Sequence, residues 1–203
     1  MQGANLKGIN MLKITRPACP PLLATRHAKW ADDFVTARAA NSNSKFSWRS
    51  KKSYQQMREA LLAMTLNHCA FCDGIIGIES LETVEHFQPK KHFPALAYTW
   101  GNLFPCCNRC QEQKGEKYNP ALLKPDDVLY DFEHFFVCND DGSIEPSAAA
   151  TVQDQERAQV TIDLYGLNLP ARKKQRRTQQ KLYRSGAHGL SLDDLPYRFY
   201  LAG

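Results

Sequence analysis

The 203-residue chain has no long hydrophobic run, and none of its apolar stretches approaches the roughly 18 residues that a membrane-spanning helix needs. This absence excludes an integral membrane protein. The first ten residues carry no apolar segment followed by a small-residue cleavage site, so we expect a protein that is not secreted. Internal repeats and low-complexity tracts are also missing, which argues against a repeat protein.

The sequence is also poorly suited to a disulfide framework. Its seven cysteines are an odd number, and four of them fall into the spacing of a zinc site. This usage favours a reducing, cytoplasmic compartment. With 43% hydrophobic residues the chain can bury a sizeable core, and we expect one compact domain with appendages.

Acidic residues are scarce near both ends of the chain. Lys and Arg exceed Asp and Glu by eight in residues 1–68 and by six in residues 170–203, whereas acids are in excess by nine in residues 69–169. Bound cations would offset part of the central acidic excess, and basic flanks suit a polyanion. Solvated basic helices would produce the same pattern, so charge alone does not decide between these interpretations.

Two Cys-x-x-Cys pairs are the strongest motif in the sequence: Cys69 with Cys72, and Cys107 with Cys110. Four thiolates in two such pairs predict a closed, tetrahedral, structural zinc site. Cys106 offers an alternative because it could pair with Cys110 at a spacing of four. The 107/110 pair repeats the two-residue spacing and is preferred.

A carboxylate, an imidazole and an amide lie between these two pairs, namely Glu85, His86 and Asn102. His86 is the candidate general base, because an imidazole titrates near neutral pH and can deprotonate a water that attacks a phosphodiester. Adjacent strand residues point to opposite faces, so a site that uses both Glu85 and His86 predicts a local irregularity. Asn102 could orient His86, or could be a turn residue after Gly101.

Hydrophobic periodicity and turn residues predict an α+β fold that is mainly helical. We expect an extended arm over 1–20, helices within 21–68, a zinc-bound core over 69–120 and a C-terminal extension over 121–203. The core should contain a strand over 81–87 and a short helix over 110–117, which together form a ββα unit with zinc at its base. Met11 is an alternative functional start of the chain.

Three elements are expected in the C-terminal extension. Asp140-Asp141-Gly142 predicts a hairpin turn, and residues 153–165 predict an amphipathic helix that stops at Gly166. Residues 170–184 predict a helix with seven basic residues and no acid, which could contact phosphates or an acidic protein surface. The predicted nucleic-acid-binding residues are Lys114, Arg172, Lys173, Lys174, Arg176 and Arg177. Lys114 either faces phosphate or is simply exposed.

Several strings in the sequence resemble the HNH endonuclease superfamily. They are Glu-His-Phe-Gln-Pro-Lys at 85–90, Tyr-Thr-Trp-Gly-Asn-Leu-Phe at 98–104 and Cys-x-x-Cys-x-x-x-Lys-Gly at 107–115. More narrowly, they are similar to the HNH subunit found with Septu-type phage-defence systems and with some retrons. The similarity continues into Asn119-Pro-Ala-Leu-Leu and Thr161-Ile-Asp-Leu-Tyr-Gly-Leu-Asn, so it covers roughly residues 12–184.

The resemblance implies a zinc-stapled ββα-metal (HNH) core and a role for each site residue. It implies that His86 is the general base, that Glu85 is a ligand of a catalytic Mg²⁺ or Mn²⁺, and that Asn102 orients the base. The family usually carries Asn or His as a second metal ligand directly after the last zinc cysteine, where this chain has Gln111. A glutamine oxygen can ligate a hard cation, but its longer side chain shifts that oxygen.

We therefore expect a metal-dependent HNH endonuclease subunit that hydrolyses DNA or RNA. The resemblance also implies an ABC-type ATPase as partner in an anti-phage defence complex. Two alternatives remain open: a zinc-bearing nucleic-acid-binding or scaffold subunit that has lost catalysis through Gln111, and a toxin-like nuclease that acts on structured RNA. Sequence alone does not rank DNA against RNA.

Overall fold

A computed structural model describes residues 14–77, 82–186 and 189–201. This part of the chain has an α+β fold of several helices and two small antiparallel sheets, as the sequence predicts. The prediction for the first thirteen residues lies outside the described residues. The division of the chain into four segments stays a prediction.

Two helices, α1 (Pro21–Ala40) and α2 (Lys51–Met64), form the N-terminal region. Helix α1 begins at a proline, whose fixed φ suits the first helical position and whose missing N–H is not needed there. The Ser50 side chain caps α2 by accepting a hydrogen bond from the Ser53 backbone N–H. The expectation of helices in this region is confirmed.

A ββα unit follows, made of β1 (Glu82–His86), β2 (Leu103–Cys107) and α3 (Asn108–Lys114). The strands pair antiparallel and one to one, from Glu82 opposite Cys107 to His86 opposite Leu103. No extra residue interrupts these five pairs, so the expected irregularity at Glu85 and His86 is wrong. Helix α3 begins directly after β2, which places the second cysteine pair at the junction of strand and helix.

The C-terminal region holds the hairpin and the two helices that the sequence predicts. Asp140-Asp141-Gly142 turns the chain between its two short strands, and Gly166 ends a helix in the left-handed conformation, with φ of 58°. The elements in chain order are α4 (Phe132–Phe135), β3 (Phe136–Cys138), β4 (Ile144–Pro146), α5 (Val152–Tyr165), α6 (Pro170–Ser185) and α7 (Arg198–Leu201).

Two groups of buried apolar side chains lie on either side of the ββα unit. One group packs α1 and α2 against Val84 and Leu103 of the two strands. The other surrounds the cysteine pairs and includes Phe104 of β2, with Phe71 stacked on Tyr165 of α5 at a centroid distance of 3.9 Å. The ββα unit therefore joins both cores, which fixes its strands and helix relative to the rest of the fold.

Residues 14–20 run without helix or strand, as expected for the end of an extended arm. Arg16 fastens this segment to the ββα unit, because its Nη1 donates to the carbonyl oxygens of Trp100 at 2.8 Å and Leu103 at 3.0 Å. The same guanidinium pairs with Asp126. Within the described residues, no helix is long and apolar enough to cross a membrane.

Candidate metal centre and adjoining cleft

The four predicted zinc cysteines converge in the structure. The Sγ atoms of Cys69, Cys72, Cys107 and Cys110 all lie within 4.8 Å of one another, and all four residues are buried. Cys72 Sγ and Cys107 Sγ are 3.7 Å apart. Bonds of about 2.3 Å in a tetrahedral zinc–thiolate site place sulfurs about 3.8 Å apart, so the cluster has the size that zinc requires.

Local backbone geometry explains why each pair presents both thiols. After Cys69 the chain makes a tight turn, in which the Cys69 N–H donates to the Gly74 carbonyl at 2.9 Å and the Asp73 N–H donates to the Cys69 carbonyl at 2.9 Å. In the second pair, Cys107 is the N-cap of α3, and its sulfur accepts from the Cys110 N–H. The first pair is thus held by a hydrogen-bonded turn, and the second pair by the N-terminus of α3, where an N–H points at a cysteine sulfur.

Cys106 lies outside the cluster, which confirms the preference for the 107/110 pair. Its thiol donates to the Cys107 carbonyl, and burial raises the pKa of the Cys106 thiol well above its usual value. Cys106 is therefore a buried, neutral side chain.

A buried arginine faces the sulfurs. Both terminal nitrogens of Arg172 lie 3.2 Å from Cys110 Sγ, and its Nη2 lies 3.9 Å from Cys107 Sγ. Only 3% of Arg172 is exposed. A buried guanidinium requires anionic or strongly accepting partners, and thiolates held by a divalent cation supply them. The donor set, its size and this counter-charge all fit a zinc ion bound by four thiolates.

His86 is buried in an aromatic pocket at the end of β1. Trp48 stacks on its ring at a centroid distance of 5.7 Å, and Phe46 meets it edge to face at 5.2 Å. Its Nε2 lies 2.9 Å from the carbonyl oxygen of Ala97. Because a carbonyl can only accept, Nε2 carries the proton, and Nδ1 is the nitrogen left to accept one.

The environment of His86 keeps the ring uncharged. Burial is the main cause, and with the positive charges of Lys90 and Lys114 nearby it lowers the pKa of His86 to about 3. The imidazole is therefore neutral at neutral pH and able to accept a proton, but its pKa lies far below the near-neutral range expected from the sequence, so that expectation is corrected.

Asn102 does not contact His86 through its side chain. Its Oδ1 accepts from the Gln88 N–H at 2.8 Å, and its Nδ2 donates to the carbonyls of Gln88 at 3.0 Å and Leu96 at 3.1 Å. The amide thus ties the segment after His86 to the turn that carries Ala97. The Ala97 carbonyl contacts the imidazole directly. Asn102 contacts only the backbone on either side of that pair, at Gln88 and Leu96.

Glu85 points to the other side of the strand, towards α3. Its Oε1 is 2.5 Å from Lys114 Nζ, which also donates to the His86 carbonyl at 3.0 Å. Burial raises the pKa of the Glu85 carboxyl, and the nearby charges of Lys114 and Lys90 oppose that rise. Lys114 is fully buried, so the expectation that it faces phosphate or solvent is corrected. Its ammonium compensates the buried carboxylate instead.

Gln111, on the first turn of α3, lies near Glu85 of β1. Its Nε2 donates to the Val84 carbonyl at 3.1 Å, which leaves the amide oxygen as its acceptor group. Glu85, His86 and Gln111 line one cleft of about 230 Å³, together with Pro89, Lys90, Gly115 and Glu116. The structure therefore brings three of the predicted site residues together, although Glu85 and His86 sit on a regular strand.

The basic helix α6 divides its charges between interior and surface. Arg176 is fully buried and donates to the carbonyls of Gly142 at 2.7 Å and Leu167 at 2.5 Å, while Arg172 faces the sulfurs. These two residues are inaccessible to nucleic acid, so the prediction that they bind it is wrong. Lys173 pairs with Asp141 on the surface, and Lys174 and Arg177 are exposed. The helical spacing in the sequence places the buried arginines and the exposed basic residues on different faces of α6, but it does not show which face is buried.

The fold and the cleft define a protein with a ββα unit, a four-cysteine metal-binding cluster at its base, and a carboxylate, an imidazole and an amide beside it. No protein-family model matches the chain. Comparison with individual protein sequences does find relatives, and it confirms the predicted resemblance to the HNH proteins of Septu and retron systems.

The curated relatives come from two kinds of system. "Septu protein PtuB" of Bacillus thuringiensis is 37% identical over 106 residues, which cover 52% of this chain and 37% of that protein. Its namesake in Bacillus mycoides is 29% identical over 128 residues, or 54% of this chain and 43% of that protein. "Retron Vc95 putative HNH endonuclease" of Vibrio cholerae is 26% identical over 129 residues, covering 61% and 62% of the two chains. The matches thus span about two-fifths of the Septu proteins.

Proposed function

We propose that this chain is an HNH endonuclease subunit that hydrolyses phosphodiester bonds of DNA or RNA. The single observation that carries the proposal is the shared cleft of Glu85, His86 and Gln111 on a ββα unit whose base holds the four-cysteine cluster. The name of the Vibrio cholerae relative, which contains the words HNH endonuclease, supports the same activity.

In this proposal Glu85 and Gln111 would hold a catalytic Mg²⁺ or Mn²⁺, because both cations prefer oxygen ligands. When bound, such an ion supplies charge stabilisation at the scissile phosphate and the leaving oxygen. His86 accepts a proton from the attacking water at Nδ1, while the Ala97 carbonyl holds its Nε2–H. Asn102 is a positioning residue, which keeps the Ala97 turn in place through its bonds to Gln88 and Leu96.

The four cysteines would hold a structural zinc, and they make up the base on which β2 and α3 meet. Cysteines in zinc spacing, within an odd total of seven, favour a reducing compartment such as the cytoplasm. The Septu and retron resemblance supports a place in an anti-phage defence complex, and we propose an ABC-type ATPase as the partner subunit.

One observation favours a second candidate, a zinc-bearing nucleic-acid-binding or scaffold subunit without catalysis. The Lys114 ammonium forms an ion pair with Glu85 Oε1. Its positive charge repels a divalent cation and so weakens the binding of that cation by Glu85. Gln111 adds a longer side chain than the Asn or His that the family resemblance leads us to expect. The two candidates differ in one measurable property, metal-dependent cleavage.

Purified protein should therefore be assayed on supercoiled plasmid and on total RNA, with Mg²⁺ or Mn²⁺, and with or without the candidate ATPase. We expect His86→Ala to lower the cleavage rate about 10²–10⁴-fold, as is typical when a general base is lost. His92→Ala is the matched control, because His92 is an exposed histidine near the same strand. Equal rates for wild type and His86→Ala would reject His86 as the base. No cleavage under any condition would favour the non-catalytic candidate.

A further inference from the structure

Helix α6 is fixed to the protein along one face. Arg172 and Arg176 lie four residues apart on that face and are buried, with their guanidiniums against the cysteine sulfurs and against two backbone carbonyls. The helix also packs against the β3–β4 turn, where Gly142 approaches the Lys173 backbone closely. Helix α6 is therefore a rigid element of the fold, although its sequence contains seven basic residues.

The opposite face presents a stripe of exposed cations. Four residues at spacings of three, four and three make up this α6 stripe: Lys174, Arg177, Lys181 and Arg184. At 100° per residue the stripe lies on average about 140° around the helix from the buried arginines, so it faces away from the protein interior. Among the described residues, none of the four forms an ion pair, and α6 contains no acidic residue.

We infer that the α6 stripe binds the phosphodiester backbone of the nucleic acid that the proposed nuclease cleaves, and this inference rests on the proposed function. The stripe extends about 15 Å along the helix axis, from a rise of 1.5 Å per residue. One strand of duplex DNA carries a phosphate about every 3.4 Å of axis, so the stripe can face about four phosphates. Lysine and arginine contacts of this kind position a nucleic acid without reading its sequence.

The composition of the stripe favours nucleic acid over a protein partner. The core of a protein interface is depleted in charged residues and rich in buried apolar or aromatic side chains. The exposed face of α6 offers four like charges, and Leu182, 41% exposed, is the large apolar side chain next to them. Four cations without internal partners on a rigid helix match a regular polyanion better than an irregular protein surface.

The test is a salt titration of binding, run with labelled duplex DNA and labelled single-stranded RNA in separate arms. Protein carrying His86→Ala is used throughout, without divalent metal, so that no cleavage occurs. The stripe variant replaces Lys174, Arg177, Lys181 and Arg184 by Gln. The control variant replaces four exposed basic residues of the N-terminal region by Gln: Arg26, Lys29, Lys51 and Lys52. Both variants lose the same charge, and circular dichroism and zinc content establish that each is folded.

We expect the stripe variant to bind at least about tenfold more weakly at 0.1 M salt, with the slope of log K against log salt reduced by about one per lost phosphate contact. The control variant should change the affinity and the slope much less. The arm with the larger loss identifies which of the two nucleic acids the α6 stripe binds.

Equal losses in the two variants would overturn the inference, because binding would then follow net charge and not the stripe. Unchanged binding in the stripe variant would also overturn it, and would direct attention to an acidic protein partner. Failure of the proposed nuclease function is distinguishable from both results, since it shows as absent cleavage by wild-type protein, whereas the titration measures binding alone.

Discussion

Two buried cations lie beside the candidate site, Lys114 against Glu85 and Arg172 against the cysteine sulfurs. A buried ion pair contributes little net stability over an apolar pair, but removal of one partner leaves an uncompensated charge in the interior. Each cation therefore matters mainly through the group that it faces. Lys114 holds the carboxylate of the proposed catalytic site, and Arg172 holds the thiolates of the proposed zinc site.

Loss of Arg172 should weaken the hold on zinc. Arg172→Gln removes two charge-assisted contacts to Cys110 Sγ, and the loss of such an outer partner typically costs about 10–100-fold in metal affinity. We expect faster zinc release to a chromophoric chelator. Arg177→Gln is the control, because Arg177 lies on the same helix but is exposed. If both variants release zinc at the wild-type rate, Arg172 is only a packing residue.

Gln111 should determine how well the cleft binds the proposed divalent ion. Because the amide oxygen of Gln lies one methylene further from the backbone than that of Asn, we expect Gln111→Asn or Gln111→His to equal or exceed the wild type in cleavage. The Mg²⁺ concentration for half-maximal rate should fall in parallel. Gln113→Asn, at an exposed position of the same helix, should change neither quantity. A rise in the Mg²⁺ requirement of the Gln111 variants would contradict the assignment.

At the scale of elements, the β3–β4 hairpin approaches the backbone of α6 closely at one glycine. Gly142 has a φ of +85°, and a Cβ built there would lie 2.2 Å from the carbonyl oxygen of Lys173. A side chain at this position would therefore push the hairpin away from α6. That helix carries Arg172, so the hairpin indirectly supports the cysteine cluster.

Gly142→Ala should accordingly lower the free energy of unfolding by more than the cost of placing an alanine in the left-handed conformation. The strained φ costs about 1–2 kcal/mol, and the backbone overlap adds to it. Gly186→Ala is the matched control, because Gly186 has a φ of +63° but a Cβ added there would meet no atom within 4 Å. Chemical denaturation of both variants gives the two free energies of unfolding. Equal losses would show that the hairpin moves aside without cost.

At the scale of the whole molecule, the cysteine cluster lies inside the larger apolar core, next to Phe71, Phe104 and Tyr165. The same core reaches the C-terminal helix α7 through Phe199 and Leu201. Metal binding at the cluster is thus expected to stabilise segments that are far apart in sequence, from the first cysteine pair to the end of the described chain.

Cys69→Ala or Cys110→Ala should give protein that lacks zinc and is insoluble or melts at a much lower temperature. Structural zinc in small modules contributes an apparent ~10–16 kcal/mol to folding. Cys106→Ala is the control, because Cys106 is equally buried but lies outside the cluster. Elemental analysis and thermal melts measure both effects. Full zinc content and an unchanged melting temperature in the two cluster variants would refute a structural zinc site.

Local sequence signals were sufficient for much of the fold. The Asp-Asp-Gly turn and Gly166 after α5 act through backbone conformation and capping within a few residues, so they predict where elements begin and end. The cysteine spacing predicted the metal cluster for a similar reason, since each pair is presented by one short turn. Glu85 and His86 drew attention because they lie between the pairs, whereas Gln111, directly after Cys110, was proposed only through the family resemblance.

The sequence by itself thus determined the α+β class and the cysteine cluster, and it singled out three of the residues that line the cleft, Glu85, His86 and Gln111. Only the tertiary structure decided which basic residues are buried, because Lys114, Arg172 and Arg176 look like surface cations in any local window. Their burial depends on partners far along the chain, such as Glu85 for Lys114 and Cys110 for Arg172. The same holds for His86, whose ring is oriented by the Ala97 carbonyl, a backbone group that no side-chain motif can identify.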